Sequence, residues 1–362
     1  MTTDYSVLDS PKRIKKILCP HCSEKISIED KTPFSFERCP SCNNSYEVPQ
    51  QIEHYLLESC IADDGVFADY RAIDLLLNRH VMIKKLNKVF HNMDRAPEFP
   101  FIESSGAVNI FSTTVHENEL YLIFELIKGR SIKSYLQQSE KVDQKKVVSL
   151  AMSICNIMSE AAENGVSHGH LVPGSVWVDE NGEVRITDFM LHQNILASGD
   201  SSERISKVLD VRYCTPERLK RMEVNEKNDL FSLGVCLHKM LTGELPYNST
   251  DMDSLLAEHG LSELSSELLI SNAINPVLSK LVMSLLRMKD EFTSFSEVHD
   301  YLKQCFVVSK SKPKPTKGKA SHTKVSKKVA TKTGNKKTAV RLPVRDKTQV
   351  ISSKRKLKKL FR

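Results

Sequence analysis

Four cysteines carry the most specific chemistry in the chain. Cys19 and Cys22 in "CPHC" and Cys39 and Cys42 in "CPSC" form two CxxC pairs separated by 16 residues. Two thiolates on each of two tight turns can surround one Zn²⁺ tetrahedrally, and this is the spacing of a two-knuckle site. Pro20 and Pro40 sit inside the turns, where a fixed φ helps to shape each knuckle. A module of about 30 residues has too little core to stand alone, so the metal would supply much of its folding free energy. A second run, "HGHLVPGSVWVDENGEVRITDFM" at 168–190, gathers His168, His170 and Asp188. An imidazole titrates near neutrality and can accept a proton.

The elements that must position these residues fall into regions of distinct composition. Residues 1–18 form a leader, 19–49 the cysteine module, 52–305 a body of alternating strand-like and helix-like patterns, and 306–362 a low-complexity basic tail. The body begins with strand signals, "GVFADYRAID", "NRHVMIKKL", "VNIFSTTVH" and "LYLIFEL", rich in β-branched and aromatic residues. Helical patterns follow. "KKVVSLAMSICNIMSEAAENG" closes on Asn164-Gly165, and "DLFSLGVCLHKMLTG", apolar almost all round, closes on Gly243. The pattern predicts a small β-rich lobe followed by a larger helical lobe, with a ligand-sized cleft between them.

With 362 residues, 40% hydrophobic and 27% charged, the chain has room for a sizeable core. No apolar run is long enough to serve as a signal peptide or a membrane span, so a soluble cytoplasmic protein is expected. The net charge of +7 hides an asymmetry: from Phe306 to Arg362 there are 20 Lys or Arg and one acid, Asp346. The tail therefore carries +19 and the rest −12. In a reducing compartment the paired cysteines read as metal ligands, with a redox dithiol the lesser alternative. Cys60, Cys155, Cys214, Cys236 and Cys305 read as small buried hydrophobes.

Two resemblances follow from these residues. The cysteine module resembles zinc ribbons, which bind nucleic acid, proteins or nothing. Its turns carry few bases, so a structural or protein-binding role is expected. The body resembles the protein kinase superfamily, especially bacterial Ser/Thr kinases, from about Ile52 to Cys305. Collinear landmarks carry the likeness: "HVMIKKL", "LYLIFELIKG", "HGHLVPGSVWV", "ITDFM", "YCTPERL" and "NDLFSLGVCLHKMLTGELPY". It implies an α+β, two-lobed protein-kinase-like fold, which the cysteine spacing places after a small zinc ribbon and the composition before a disordered basic tail.

Kinase chemistry needs a Lys and Mg²⁺ on the phosphates, a carboxylate to orient the attacking hydroxyl, and an Asn for a second metal. The resemblance puts Lys84 at the phosphate-binding position, with Lys85 available after a one-residue slip, and Asp188 at the Mg²⁺ position. Adenine would meet hinge backbone around Glu125 to Ile127, and Gly65 is what remains of a glycine-rich loop. His168, Phe189 and Asp229 match scaffold residues. Glu217 matches an acid whose Arg partner, Arg287, stands out of register. The acidic partner of Lys84 falls to Glu98, between Pro97 and Pro100, or to Glu103.

The departures are concentrated where chemistry would occur. Against the family's HRDLKPxN, "HGHLVPGS" has Gly169 for Arg, His170 for the catalytic Asp, Val172 for Lys and Ser175 for Asn. A neutral imidazole at His170 brings no negative charge to hold a hydroxyl proton. Ser175 is a weaker metal ligand than Asn. In "IADDGVFADY", Ala62 and Asp64 replace two glycines, and Asp63 and Asp64 bring negative charge towards phosphates. Met190 stands where the family has Gly. These changes predict a pseudokinase acting as scaffold or sensor on an unidentified protein partner. ATP and magnesium are possible ligands beside the ribbon's zinc. An active Ser/Thr kinase using His170 as base is the first alternative. The second is a nucleic-acid-binding protein using its tail, since a run of positive charge binds polyanions by counterion release. The tail lacks the apolar residues to fold alone, and "KRKLKKLFR" could also rest on an anionic membrane surface.

Overall fold

The computed structural model describes residues 13–87, 98–138, 141–196, 208–221, 224–261, 265–287 and 291–310. The cysteine module is a pair of short antiparallel hairpins. β1 (Lys16–Leu18) pairs with β2 (Lys25–Ser27), and β3 (Phe36–Arg38) with β4 (Ser45–Glu47). Both CxxC turns close in the same way: Ser23 N donates to Cys19 O and Asn43 N to Cys39 O, each at 2.9 Å. Ser23 and Asn43 both sit at positive φ, 63° and 57°.

The chain then enters a six-stranded antiparallel sheet. Its strands are β5 (Gln50–Ile52), β6 (Tyr55–Asp63), β7 (Phe67–Asp74), β8 (Arg79–Leu86), β9 (Ile110–His116) and β10 (Glu119–Glu125), in the order 5-6-7-8-10-9. Alternation along each strand divides the apolar residues between two faces. Met82, Leu86, Leu120, Leu122 and Phe124 join the main core with the helical lobe. Tyr55, Leu57, Tyr70, Val81, Ile83, Tyr121 and Ile123 form a second cluster on the other face. Phe34 of the cysteine module packs against that second cluster, its ring stacked 5.0 Å from Tyr70. Ile14 N donates to Gln51 Oε1 at 2.6 Å, a further tie between module and sheet.

Past the sheet, β11 (Gly129–Ser131), β12 (Val176–Asp179) and β13 (Val184–Ile186) make a three-stranded sheet under the cleft. The helices are α1 (Ile132–Gln138), α2 (Gln144–Glu163), α3 (Leu191–Leu196), α4 (Pro216–Arg221), α5 (Glu226–Thr242), α6 (Met252–Leu261), α7 (Glu267–Ser271), α8 (Pro276–Leu286) and α9 (Phe295–Lys310). Local signals explain their ends. Asp143 caps α2 by accepting from Lys145 N and Lys146 N, and the helix stops at Asn164, with Gly165 at φ 71°. A reciprocal Asn225–Asn228 capping box starts α5, and Gly243 at φ 83° ends it. Helix α5 is buried almost all round, as its apolar sequence predicts, and lies at the centre of the helical lobe. Gly234 lets α8 approach it: a Cβ there would stand 2.9 Å from Leu285 Cβ.

One expectation needs correction. Cys60 is exposed rather than buried, whereas Cys155, Cys214 and Cys236 are buried; Cys305 lies outside the residues whose side chains are described. Helix α9 runs through Lys310, and the tail expected over 306–362 lies outside the described residues from 311 on. Among the described residues no helix is long and apolar enough to cross a membrane.

Candidate functional site

The four cysteines converge as their spacing predicts. Cys19 Sγ lies 3.7 Å from Cys42 Sγ and Cys22 Sγ 3.6 Å from Cys39 Sγ, and all four sulfurs lie within 4.8 Å of one another. Disulfide sulfurs would be about 2.05 Å apart. A tetrahedron with Zn–S bonds of about 2.3 Å has edges of about 3.8 Å, so the donor set fits one Zn²⁺.

The second site lies between the lobes. Lys84 and Lys85 are adjacent on β8, and alternation sends them to opposite faces. Lys85 pairs with Glu119 at 3.2 Å, away from the cleft, whereas the Lys84 ammonium enters it and is 9% exposed. Its partners are Asp69 at 3.0 Å and Asp188 at 3.6 Å. Asp69 is its cross-strand neighbour, since β7 and β8 pair Asp69 with Lys84. Burial alone would lower the Lys84 pKa, but Asp188 and Asp69 outweigh it and push it up. Asp69 itself is pushed up by burial, against the pull of Lys84. Glu98 and Glu103, the acids expected to pair with Lys84, are both exposed; Pro97 lies outside the described residues.

Asp188 sits at φ 70° and Met190 at φ 60°, so the "DFM" turn carries two non-glycine residues in the left-handed region. Thr187 Oγ1 donates to Asp188 Oδ2 at 3.0 Å. Asp188 Oδ1 is buried and has no hydrogen-bond partner among the described residues, so a cation would fit at this oxygen. Ser175 is different. Its hydroxyl donates to Val172 O at 2.9 Å and accepts from Val172 N at 3.2 Å, so it closes a local turn instead of facing a metal.

The loop that begins at His168 is held by hydrogen bonds from two sides. Asp229 on α5 accepts from His168 N at 2.7 Å and Gly169 N at 2.9 Å. Burial pushes the Asp229 pKa up to about 7, against the two amides and Arg218. His168 bridges the loop to the neighbouring turn: its Nε2 bonds Thr187 O at 2.9 Å, His170 N donates to its Nδ1 at 3.2 Å, and its ring lies 4.9 Å from Phe189.

His170 is 3% exposed. Its Nε2 accepts from Asp210 N at 3.2 Å, which leaves the proton on Nδ1, 3.9 Å from Cys214 Sγ. Burial pushes the pKa of His170 well below the usual imidazole range, helped by Arg218 and His168. His192 on α3 stacks edge-on against it at 4.6 Å and is likewise held neutral by burial. Sequence reasoning missed Arg218 and Asp69. Arg218 is 2% exposed, beside Glu217 on which the reading of "TPERL" rested, and its charge helps keep the histidines neutral.

The remaining predicted positions are near the hinge. Glu125 pairs with Arg185 at 2.6 Å, while Leu126 and Ile127 line a cavity of about 750 Å³ with Ile61, Tyr135 and Trp177. Lys84 and Asp188 are not among its lining residues. Gly65 takes φ 84° at the tip between β6 and β7, with open space where a Cβ would be.

Comparison with known proteins agrees with this arrangement. The family model for protein tyrosine and serine/threonine kinase matches residues 77–310. A probable serine/threonine-protein kinase of Clostridium acetobutylicum is 26% identical over 263 residues, 68% of this chain and 39% of that protein. The serine/threonine-protein kinase PrkC of Bacillus subtilis is 23% identical over 257 residues, again 68% of this chain and 39% of that protein. The chain thus spans about two fifths of the length of these relatives. Among solved structures, that of Rad53 1-466 in complex with AMP-PNP superposes with a TM-score of 0.53 at 16% identity, covering 69% of this chain and 66% of that one.

Proposed function

We propose that this chain, which belongs to the protein tyrosine and serine/threonine kinase family, works as a non-catalytic scaffold or sensor. One observation carries the reading: the one basic nitrogen of His170, the residue that by the motif resemblance replaces the catalytic carboxylate, accepts a hydrogen bond from Asp210 N. A neutral, buried imidazole so engaged neither orients a hydroxyl nor takes its proton. Val172 and Ser175 withdraw two further polar groups from the same loop, and stabilisation of a transferring phosphoryl group is mainly electrostatic. The folded body would present a surface to a protein partner, and the cysteine module would hold zinc. The test is phosphate transfer from labelled ATP to the chain itself and to generic Ser/Thr substrates. No transfer above a Lys84→Ala control is expected; Lys84-dependent transfer would overturn the reading.

An active serine/threonine kinase is the second reading, favoured by the Lys84–Asp188 pair at 3.6 Å and by the kinase names of its relatives. It requires His170 to exchange its bond to Asp210 for one to substrate, and the same assay decides. Localisation on nucleic acid through the +19 tail is a further part of the proposal. Binding to duplex DNA or RNA should weaken with salt at a log–log slope of about −0.9 per phosphate neutralised on DNA. It should vanish on deletion after Lys310; binding that survives the deletion would remove the tail from the account.

A further inference from the structure

The donors that could receive a nucleotide's phosphates are already bonded to the chain's own carboxylates. At the β6–β7 tip, Gly65 N donates to Asp63 Oδ1 at 2.8 Å, and Val66 N and Phe67 N donate to Asp64 Oδ1 at 3.0 and 2.8 Å. These are three successive backbone amides of the loop that would cover phosphates. Deeper in, the Lys84 ammonium is shared between Asp69 and Asp188. The Phe67 ring stands over it, 5.3 Å from Nζ, and meets His192 edge-on at 5.5 Å. Val66 and Phe67, just past the tip, both pack on the main core. His192 is neutral and adds no charge to offset the acids. Four carboxylates, Asp63, Asp64, Asp69 and Asp188, thus surround one ammonium and three amides.

We propose that Asp63, Asp64 and Asp69 act as built-in substitutes for phosphate groups, so that the cleft closes on its own side chains and excludes nucleoside triphosphates. A triphosphate would have to displace the short Asp69–Lys84 pair and three amide bonds while its own charge approached carboxylates of the same sign. The inference deepens the non-catalytic reading above and rests on it: loss of the transfer groups explains a silent site, and the internal anions explain an unfilled one.

The experiment compares the full chain with Asp69→Asn and with Asp63→Gly/Asp64→Gly, using thermal unfolding and direct binding of MgATP at millimolar concentrations. The unaltered chain should show no shift in midpoint, because only a ligand that binds the native state raises it. Each variant should gain a saturable, dose-dependent rise, with at least tenfold tighter binding than the unaltered chain, and Lys84→Ala should cancel the gain. Asp69→Asn is nearly isosteric and leaves Asp188 beside Lys84, so it reports even if the loop variant fails to fold. Variants that unfold cooperatively yet gain no binding would overturn the proposal. So would MgATP binding by the unaltered chain that Lys84→Ala abolishes. If that binding occurs without phosphate transfer, this inference falls and the non-catalytic reading stands; if transfer occurs, both fall.

Discussion

Phe34 is the aromatic residue through which the cysteine module packs on the smaller lobe, and replacing it by Ala tests whether that contact matters to the body. The ring is half-buried, stacked at 5.0 Å on Tyr70, and held at φ 62°, a conformation that non-glycine residues adopt only when their surroundings compel it. Truncating a fully buried Phe costs about 3–5 kcal/mol. Half-burial brings this to about 2 kcal/mol, and the lost ring pair adds about 0.5–1.5 kcal/mol. The total, about 2.5–3.5 kcal/mol, should lower the main unfolding midpoint by about 5–14 °C in a body of this size. Calorimetry of the zinc-loaded chain, with Tyr70→Ala and the double variant completing a cycle, isolates the pair, whose coupling should be about 0.5–1.5 kcal/mol. A chelator should also lower the midpoint of the unaltered chain, and lower it less in Phe34→Ala, where the connection is already cut. If Phe34→Ala unfolds at the original temperature and chelation empties the cysteines without moving the main transition, the module is an independent bead and the reasoning is wrong.

Three further outcomes follow from the described contacts. His192, buried and neutral among His170, His168, Lys84 and Arg218, has a depressed pKa, so its contribution is present above about pH 6.5 and is lost as pH falls. Urea midpoints should therefore show His192→Phe gaining on the unaltered chain by up to about 1.4 kcal/mol per pH unit between about pH 6.5 and 5; a constant difference refutes the assignment. Gly234→Ala should cost about 1–3 kcal/mol, measured the same way, because its Cβ would crowd Leu285 between α5 and α8. Asn225→Ala should cost about 1 kcal/mol by removing the α5 cap, and Asn225→Ser or Asn225→Asp should recover most of it.

Features governed by local chemistry were legible in the sequence. The CxxC turns, the ends of α2 at Asn164-Gly165 and of α5 at Gly243, and the collinear kinase motifs each depend on a few neighbouring residues, and the structure has them where they were expected. Features that depend on register were not. The choice between Lys84 and Lys85 needed the face of β8 that meets the core. Both faces are apolar, Met82 and Leu86 on the Lys84 side and Val81 and Ile83 on the Lys85 side, so alternation alone did not decide. Asp69 escaped notice because its role exists only once β7 is paired with β8. The sign of it was a carboxylate two residues after Phe67, on the β7 face that also carries Arg71 and Ile73. Arg218 was overlooked because attention went to Glu217 beside it. The consequence of His170 was only half readable: its type excluded a charged base, but that Asp210 N occupies its Nε2 is a fact of tertiary packing.

The docking of the cysteine module on the sheet has a bearing on biosynthesis. Residues 13–49 leave the ribosome before any strand of the larger sheet, and a four-thiolate site can load its metal as soon as Cys42 is clear. The sheet would then condense against a template already in place, with Tyr70 meeting a ring held 36 positions earlier in the chain. A chain synthesised under metal starvation would reach the same stage without Phe34 set against the second apolar cluster of a newly formed sheet. Such a face invites aggregation between nascent chains. Metal supply would therefore decide the yield of folded protein at the moment of its synthesis, whatever the stability of the finished molecule.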